Sequence, residues 1–243
     1  KTFPGVKALD HAQLELRPGK VMALMGEHGA GKSTLMKCMF GIYKMDEGEI
    51  EYEGQKVNIP TPLDALDRGI AMVHQELQPI PARTVAENIW LGRYPTKKYG
   101  IVTVVDHAKM YKDTDELLKK LKLDIDPHAK LGSLSIAQMQ MVEIAKAVSA
   151  NCKVLILDEP TRGIDVGAKY EIYCIIADLA KQGKSIIMIS SEMSEIIGMS
   201  NRVMVMCDGR ITGFIDGKDA TQENIMALAT QFETAPDTAA ANQ

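Results

Sequence analysis

The chain has 243 residues, of which 46% are apolar and 25% charged, and 28 Lys and Arg against 32 Asp and Glu give a formal net charge of −4. This composition is that of a globular protein and excludes a largely disordered chain. The mild acidity disfavours binding to nucleic acid chiefly by charge, and no apolar run approaches the about 20 residues that a membrane-spanning helix needs.

The first third of the chain alternates between strand and helix patterns. An apolar run at Val21–Met25 precedes a glycine-rich stretch, and apolar residues from Leu35 to Phe40 recur at helical spacing. Two short runs, Glu49–Tyr52 and Gln55–Val57, flank a Glu-Gly pair and predict a hairpin. Ile70–Val73 predicts a further strand. The order is strand, glycine-rich loop, helix, hairpin and strand.

The middle of the chain has a different character. Asp106 is placed to cap a helix that runs to Leu121, and Ser135 is placed to cap a second one. We interpret residues 81–150 as a helical subdomain inserted into a core formed by residues 1–80 and 151–230. Trp90 and the apolar run Ile101–Val105 lie in this region. Their two alternative roles are an interface with another protein and ordinary packing in the core.

Strands and helices alternate again after residue 153. The expected strands are 154–157, 185–190, 203–207 and 211–214, with helices near 166–181 and before 199. Such alternation predicts an α/β fold with a mainly parallel, buried sheet. Residues 231–243 are small and polar, which predicts a disordered tail.

One stretch fits the phosphate-binding pattern GxxxxGK[ST]. Its residues are Gly26, Glu27, His28, Gly29, Ala30, Gly31, Lys32 and Ser33, followed by Thr34. In this pattern glycines allow main-chain N–H groups to face phosphate oxygens, and the next helix adds its positive N-terminus. Lys32 is expected to reach the β- and γ-phosphates and Ser33 to bind Mg²⁺. A glycine-rich turn without a ligand is the alternative.

An acidic pair supplies the expected second half of the site. Asp158 and Glu159 end the buried strand pattern that begins at Val154. We expect Asp158 to hold Mg²⁺ and Glu159 to act as the general base for water. The Cys and His residues show no metal-ligand spacing, so no metal held by protein ligands alone is expected.

These motifs resemble those of the ATP-binding cassette family. The resemblance implies a P-loop NTPase (RecA-like) core with an antiparallel N-terminal β subdomain and an inserted helical subdomain. It places Gln75 in the Q-loop, touching Mg²⁺ and water, and Phe3 on the adenine of ATP, with a core role as the alternative for Phe3. It also places Asp165 in the D-loop. The family signature, which closes over the γ-phosphate of an opposite cassette, falls at Leu134, Ser135, Ile136, Ala137 and Gln138.

Three further stretches are similar to the ATPases of bacterial monosaccharide importers, the galactose/methyl-galactoside type above all. They are residues 3–9, 72–77 and 90–95. This resemblance implies ATP and Mg²⁺ as cofactors, membrane-spanning permease subunits and a second cassette as partners, and a periplasmic sugar-binding protein as an indirect one. It implies that nucleic acid is not a partner. It also implies that the protein lies peripherally at the cytoplasmic face of the bacterial cell membrane.

The sequence also departs from that branch. Such ATPases carry two cassettes in tandem, and this chain has room for one. Residues 1 to about 150 resemble the first cassette and those from about Asp158 on resemble the second, so we hypothesise that an internal deletion fused the two.

Three positions depart from active cassettes. Ile136 and Ala137 replace signature glycines, and Ser191 stands where most active cassettes have histidine. A serine hydroxyl can hydrogen-bond the γ-phosphate but brings no positive charge to the transition state. Two functions therefore remain open, an ATP-hydrolysing importer subunit and an ATP-binding module with little or no hydrolysis. A P-loop GTPase or kinase is disfavoured because no NKxD motif occurs.

Overall fold

The computed structural model describes residues 1–231, and the predicted disordered tail lies outside them except for Gln231. In chain order the strands are β1 (Thr2–Phe3), β2 (Val6–Lys7), β3 (Val21–Gly26), β4 (Ile50–Tyr52), β5 (Gln55–Val57), β6 (Ile70–Val73), β7 (Thr96–Tyr99), β8 (Val102–Val105), β9 (Val154–Asp158), β10 (Ser185–Ile189), β11 (Arg202–Cys207) and β12 (Arg210–Asp216). The helices are α1 (Lys32–Met39), α2 (Pro62–Asp67), α3 (Val85–Ile89), α4 (His107–Lys120), α5 (Ile136–Ser149), α6 (Val166–Lys181), α7 (Met193–Met199) and α8 (Gln222–Ala229).

Six strands form a central sheet in the order β12-β11-β3-β10-β9-β6. Its strands pair in parallel except at one edge, where β12 runs antiparallel to β11. Every residue of β9 and β10 is buried. Their unbroken apolar sequences fit this position, because a parallel sheet is covered on both faces. The predicted α/β fold with a mainly parallel sheet is confirmed.

Helices cover both faces of this sheet. On one face Leu155 and Ile186 share a buried core with Ile144 of α5. On the other face Ile156 shares a second core with Met36 of α1. Leu155 and Ile156 are consecutive and enter opposite cores, as the alternation of side chains along a strand requires. The helices α1 and α5 therefore pack against opposite faces, and so do the motifs at their N-termini.

The helix starts predicted at Asp106 and Ser135 are confirmed. The Asp106 side chain accepts a hydrogen bond from the Lys109 N–H at 3.1 Å before α4. Ser135 and Gln138 form a reciprocal capping box at the start of α5, with bonds of 3.2 and 3.1 Å. A side-chain cap satisfies amides that the first turn leaves unpaired and contributes about 1 kcal/mol.

Residues 81–150 contain α3, α4 and α5, together with a strand pair that the sequence pattern did not indicate. Residues 102–105 of the run at 101–105 form β8, which pairs antiparallel with β7, and Ile101 lies in the turn between the two strands. Ile101 is fully exposed and Val102 is 55% exposed, so ordinary core packing is wrong for this run. Trp90 is half-buried, and its indole N–H donates to Thr114 Oγ1 at 3.0 Å.

The N-terminal antiparallel part consists of two separate ribbons, β1–β2 and β4–β5. The second ribbon is the hairpin expected at residues 49–57. Three short helices, α2, α3 and α8, were not predicted, although Thr61, Thr84 and Thr221 cap them. The division into a core and an inserted subdomain stays a prediction.

Candidate functional site

The predicted phosphate-binding loop joins β3 to α1 and has a left-handed backbone at its glycines. The φ angles of Gly29 and Gly31 are 90° and 99°. A Cβ at Gly31 would lie 2.7 Å from the Ala8 carbonyl oxygen, whereas a Cβ at Gly29 would meet nothing within 4 Å. Glycine at position 31 is therefore required by both backbone conformation and space.

The N-terminus of α1 has no side-chain cap. Gly31 is its N-cap and offers no side-chain oxygen. Among the described residues, most other helices have one; their capping residues are Thr61, Thr84, Asp106, Ser135, Asp165 and Thr221. Because the first amides of a helix need an acceptor, this N-terminus is suited to an anion.

Lys32 folds back on the loop that precedes it. Its ammonium donates to the carbonyl oxygens of Gly26 at 2.6 Å and Glu27 at 2.8 Å. Burial lowers the pKa of Lys32 more than the nearby carboxylates Glu159 and Asp158 raise it. The Lys32 ammonium, the uncapped amides of the first turn of α1 and the residue Ser33 all belong to this helix start, and such a donor set fits a phosphate group.

The acidic pair lies at the same edge of the sheet as the loop. In the strand register Asp158 is opposite Ile189, and Ile189 is opposite Leu24, two residues before the loop begins. Burial is the main cause that raises the pKa of Asp158, and the Glu159 carboxylate raises it further. The carboxylates are thus held close to Lys32, in the region where a cation would relieve their repulsion.

Glu159 and Ser191 are in direct contact. The Ser191 hydroxyl donates to Glu159 Oε2 at 3.1 Å. Glu159 has a left-handed backbone, with φ of 51°, and its N–H donates to the Ile189 carbonyl oxygen at 2.9 Å. The structure brings together these two residues, which the sequence assigned to the same site.

Gln75 lies two residues beyond β6 and is exposed. Because β6 pairs in parallel with β9, with Val73 opposite Leu157, Gln75 leaves the sheet at the same edge as Glu159. His74, next to it, lowers the pKa of Asp158 electrostatically. The loop, the acids, Ser191 and Gln75 therefore share one edge of the sheet.

The signature segment lies elsewhere. Leu134–Gln138 leads into α5, on the face of the sheet opposite α1. Ile136 is 61% exposed and Ala137 is 7% exposed, so the first replaced glycine presents an apolar side chain to the surface. Asp165 caps α6 by accepting from the Ala168 N–H at 3.1 Å. Within this chain the signature does not meet the phosphate-binding loop.

Phe3 lies on β1 and is half-buried. Its ring packs edge-on against Tyr43, with ring centroids 5.3 Å apart, and the Lys1 ammonium lies 5.2 Å from the Phe3 centroid. The ring of Phe3 therefore lies beside Tyr43, which follows α1. Stacking of this ring on a base stays a prediction.

The sequence interpretation missed a buried carboxylate next to the site. Glu195 is 3% exposed and accepts hydrogen bonds from Thr161, Ser190, Tyr173 and Lys169. The available signal was an acidic residue in the first turn of α7, four positions after Ser191 and directly before the apolar Ile196. No pattern in the sequence brings its four donors together, because they come from three separate segments.

Across residues 1–231 no helix is long and apolar enough to cross a membrane. In the same range no group of three or more His, Cys, Asp or Glu side chains is placed to hold a metal ion. Ser33 follows Lys32 in the first turn of α1, and Gln75 lies at the same edge of the sheet as Glu159; their side chains carry oxygen atoms of the kind that Mg²⁺ accepts as ligands.

Comparison with known proteins gives the affiliation of the chain. The family described as ABC transporter matches residues 9–162. The galactose/methyl galactoside import ATP-binding protein of Clostridium tetani is 50% identical over 227 residues, which are 93% of this chain and 45% of that protein. The protein of the same name from Photobacterium profundum is 50% identical over 228 residues, or 94% and 46% of the two chains. The chain thus spans less than half the length of these curated relatives.

Solved structures agree. A nucleotide-free ATP-binding cassette from an ABC transporter has a TM-score of 0.81 and 27% identity, covering 93% of this chain and 92% of that one. Another such cassette, in its ADP conformation, has a TM-score of 0.80 and 27% identity, covering 96% and 92%. The fold is that of an ABC ATPase cassette, with a P-loop NTPase core. The family match, the relatives and these structures together show that the chain belongs to the ABC transporter family.

Proposed function

We propose that this chain is the ATP-binding and ATP-hydrolysing part of an ABC importer for a monosaccharide of the galactose/methyl-galactoside type. The observation that carries the proposal is the convergence of the glycine loop, Lys32 and the Asp158–Glu159 pair at one edge of the sheet. The names of the relatives from Clostridium tetani and Photobacterium profundum support the transport role.

Each residue of the site has a role in binding or hydrolysing ATP that follows from its chemistry. Main-chain N–H groups of the loop and first turn of α1, residues 26–34, bind the phosphates, and the Lys32 ammonium leaves its carbonyl partners to pair with them. Ser33, Gln75 and Asp158 hold Mg²⁺, which supplies charge neutralisation on the phosphate oxygens. Glu159 orients the attacking water and accepts its proton. Phe3 stacks on the adenine.

A second cassette completes the site. The signature at Leu134–Gln138 packs against the opposite face of the sheet from α1 and its loop, so it serves the loop of another cassette, in a homodimer or a tandem partner. Asp165, as the D-loop residue, lies at the same junction. The capping box of Ser135 and Gln138 fixes the start of α5, and the helix directs its positive end at the γ-phosphate of the partner cassette.

Transport requires partners outside this chain. The proposed organisation is a core of residues 1–80 and 151–230 and a helical subdomain of residues 81–150, which binds membrane-spanning permease subunits. A periplasmic sugar-binding protein acts through that permease, and the chain is peripheral at the cytoplasmic face of the bacterial cell membrane. The exposure of Ile101 supports an interface role for this subdomain.

A second candidate function is an ATP-binding cassette with weak or no hydrolysis. Two observations favour it. Ile136 presents a side chain where a glycine would let the backbone approach phosphate, and Ser191 offers a hydroxyl that already donates to Glu159. Affinity for nucleotide depends on the loop and is retained in both candidates.

Calorimetry with Mg-ATP and a phosphate-release assay test the proposal. Wild type is expected to bind Mg-ATP and hydrolyse it slowly; Lys32→Ala should lose binding, and Glu159→Gln should bind but not hydrolyse. Lys44→Ala, an exposed lysine outside the loop, is the matched control and should behave as wild type. Absence of binding by folded wild type would overturn the proposal, and binding without turnover would leave the second candidate.

The fusion of two cassettes stays a prediction. Its junction is the segment shared by both cassettes, around Asp158. Sequencing the gene locus across this junction tests it, and two intact cassettes encoded there would contradict it.

A further inference from the structure

Glu195 receives four hydrogen bonds on one buried carboxylate. Oε1 accepts from Thr161 Oγ1 at 2.5 Å, from the Tyr173 hydroxyl at 2.7 Å and from Lys169 Nζ at 3.2 Å. Oε2 accepts from Ser190 Oγ at 2.7 Å. Burial alone would raise the pKa of Glu195, and these hydrogen bonds outweigh it and lower the pKa. Both oxygens of the carboxylate thus accept hydrogen bonds, which favours its anionic form.

The donors come from three segments that surround the proposed site for hydrolysis. Thr161 follows Glu159 by two residues, and Ser190 directly precedes Ser191. Lys169 and Tyr173 lie on α6, whose N-cap is Asp165. The Glu195 carboxylate is therefore hydrogen-bonded to three parts of the chain: the segment that follows Glu159, the residue before Ser191, and the helix α6 that begins after Asp165.

A short path of contacts leads from Glu195 to the general base. Ser190 Oγ donates to Glu195 and also accepts from the Glu192 N–H at 3.0 Å, which fixes the backbone on both sides of Ser191. Ser191 in turn donates to Glu159 Oε2. Thr161 restrains the Glu159 turn from its other end. Glu195 itself is two hydrogen bonds away from the Glu159 carboxylate.

We propose that Glu195 is a positioning residue for ATP hydrolysis, acting through Ser190, Ser191 and Thr161 to orient Glu159. The proposal rests on the proposed function. It implies that Glu195 affects the chemical step and leaves nucleotide binding unaffected, because no residue of the loop at 26–33 is among its hydrogen-bond partners in the described part of the chain.

The test compares wild type with Glu195→Gln, which keeps the shape of the side chain and removes its charge. We expect kcat to fall about tenfold or more, as for other residues that orient a catalytic group indirectly, while KM and the calorimetric dissociation constant for Mg-ATP stay within about twofold. Glu192→Gln is the matched control, because Glu192 pairs with the same Lys169 but its side chain contacts neither Thr161 nor Ser190. It should keep the wild-type kcat.

Two further measurements separate positioning from general loss of structure. In a Ser191→Ala background, Glu195→Gln should lower kcat less than in wild type, because the route to Glu159 through Ser191 is already broken and only the route through Thr161 remains. Amide hydrogen exchange at Ser191 and Glu192 should rise in Glu195→Gln while exchange in β3 stays unchanged. Additive effects on kcat, or a raised KM with unchanged kcat, would overturn the positioning role.

The results of these experiments distinguish a failure of the positioning role of Glu195 from a failure of the proposed ATP hydrolysis. Turnover by wild type with an unchanged kcat in Glu195→Gln overturns the role of Glu195 alone. Absence of turnover by a wild type that binds Mg-ATP overturns hydrolysis, and the positioning role falls with it. If Glu195→Gln unfolds, Ser190→Ala replaces it, since it removes the direct link to Ser191; an unchanged kcat in Ser190→Ala then overturns the role.

Discussion

The Ser191 hydroxyl donates to Oε2 of Glu159 across 3.1 Å. A serine hydroxyl carries one proton, so while this bond exists Ser191 has nothing to donate to a phosphate oxygen. In the proposed site, position 191 therefore holds a hydroxyl that donates to the general base Glu159 and does not stabilise charge on the γ-phosphate.

Replacing Ser191 with histidine should raise hydrolysis. An imidazole can donate to Glu159 and bring positive charge near the transferred phosphate, and donors of this kind contribute about 10²–10³ to rate. Because Ser191 is exposed, the larger ring has room. We expect kcat of Ser191→His to exceed wild type at least about tenfold in a phosphate-release assay, with Ser191→Ala below wild type. Equal rates for Ser191→His and wild type would contradict this.

The glycines of the loop give a matched pair of variants. Gly31→Ala adds a Cβ 2.7 Å from the Ala8 carbonyl oxygen at φ of 99°, whereas Gly29→Ala adds one into open space at φ of 90°. The left-handed backbone costs an alanine about 1–2 kcal/mol at either position, and Gly31→Ala bears the clash in addition. Urea unfolding should show a loss of about 1–2 kcal/mol for Gly29→Ala and a distinctly larger one for Gly31→Ala. Similar losses for both would refute the steric argument.

The signature replacements should limit association of two cassettes. Changing Ile136 and Ala137 together to glycine removes a side chain that is 61% exposed and one that is 7% exposed. The helix should lose about 1–2 kcal/mol of stability through glycine propensity and the lost burial, while the backbone gains access to a partner's phosphate. In a Glu159→Gln background with Mg-ATP, we expect more dimer by sedimentation velocity. An unchanged monomer fraction would count against the signature assignment.

Glu195 should make folding stability depend on acid pH. Its pKa lies below the ordinary 4.5 because the bonds from Thr161, Ser190, Tyr173 and Lys169 outweigh its burial. A lowered carboxyl pKa contributes stability above the unfolded-state value, and this contribution is lost as pH falls through the folded-state value. Urea unfolding from pH 7 to pH 3 should therefore show a steeper decline for wild type than for Glu195→Gln. Parallel curves would indicate that the carboxylate is not stabilised as an anion.

Local patterns allowed much of the fold to be predicted. Capping residues such as Asp106 and Ser135 hydrogen-bond within the first turn of their own helices. The unbroken apolar runs of β9 and β10 are typical of strands that are buried on both faces of a sheet. The proximity of Lys32 to Asp158 could also be expected, because parallel strands end at a common edge. These inferences needed no knowledge of distant contacts.

Other features depend on tertiary contacts and were missed. The run at 101–105 is apolar, yet it lies on an exposed ribbon, and composition alone cannot distinguish that from core. The four donors to Glu195 come from segments up to 34 residues away in sequence, so only the folded chain reveals them. The placement of the signature opposite α1 likewise follows from sheet topology.

The β7–β8 ribbon has a consequence for the isolated chain. In the described region it pairs with no other strand, and Tyr99, Ile101, Val102 and Val104 are exposed on it. Free strand edges with apolar side chains favour pairing between molecules. Aggregation of the purified chain is therefore expected to start at this ribbon and to increase with protein concentration, independently of how stable the nucleotide-binding core is.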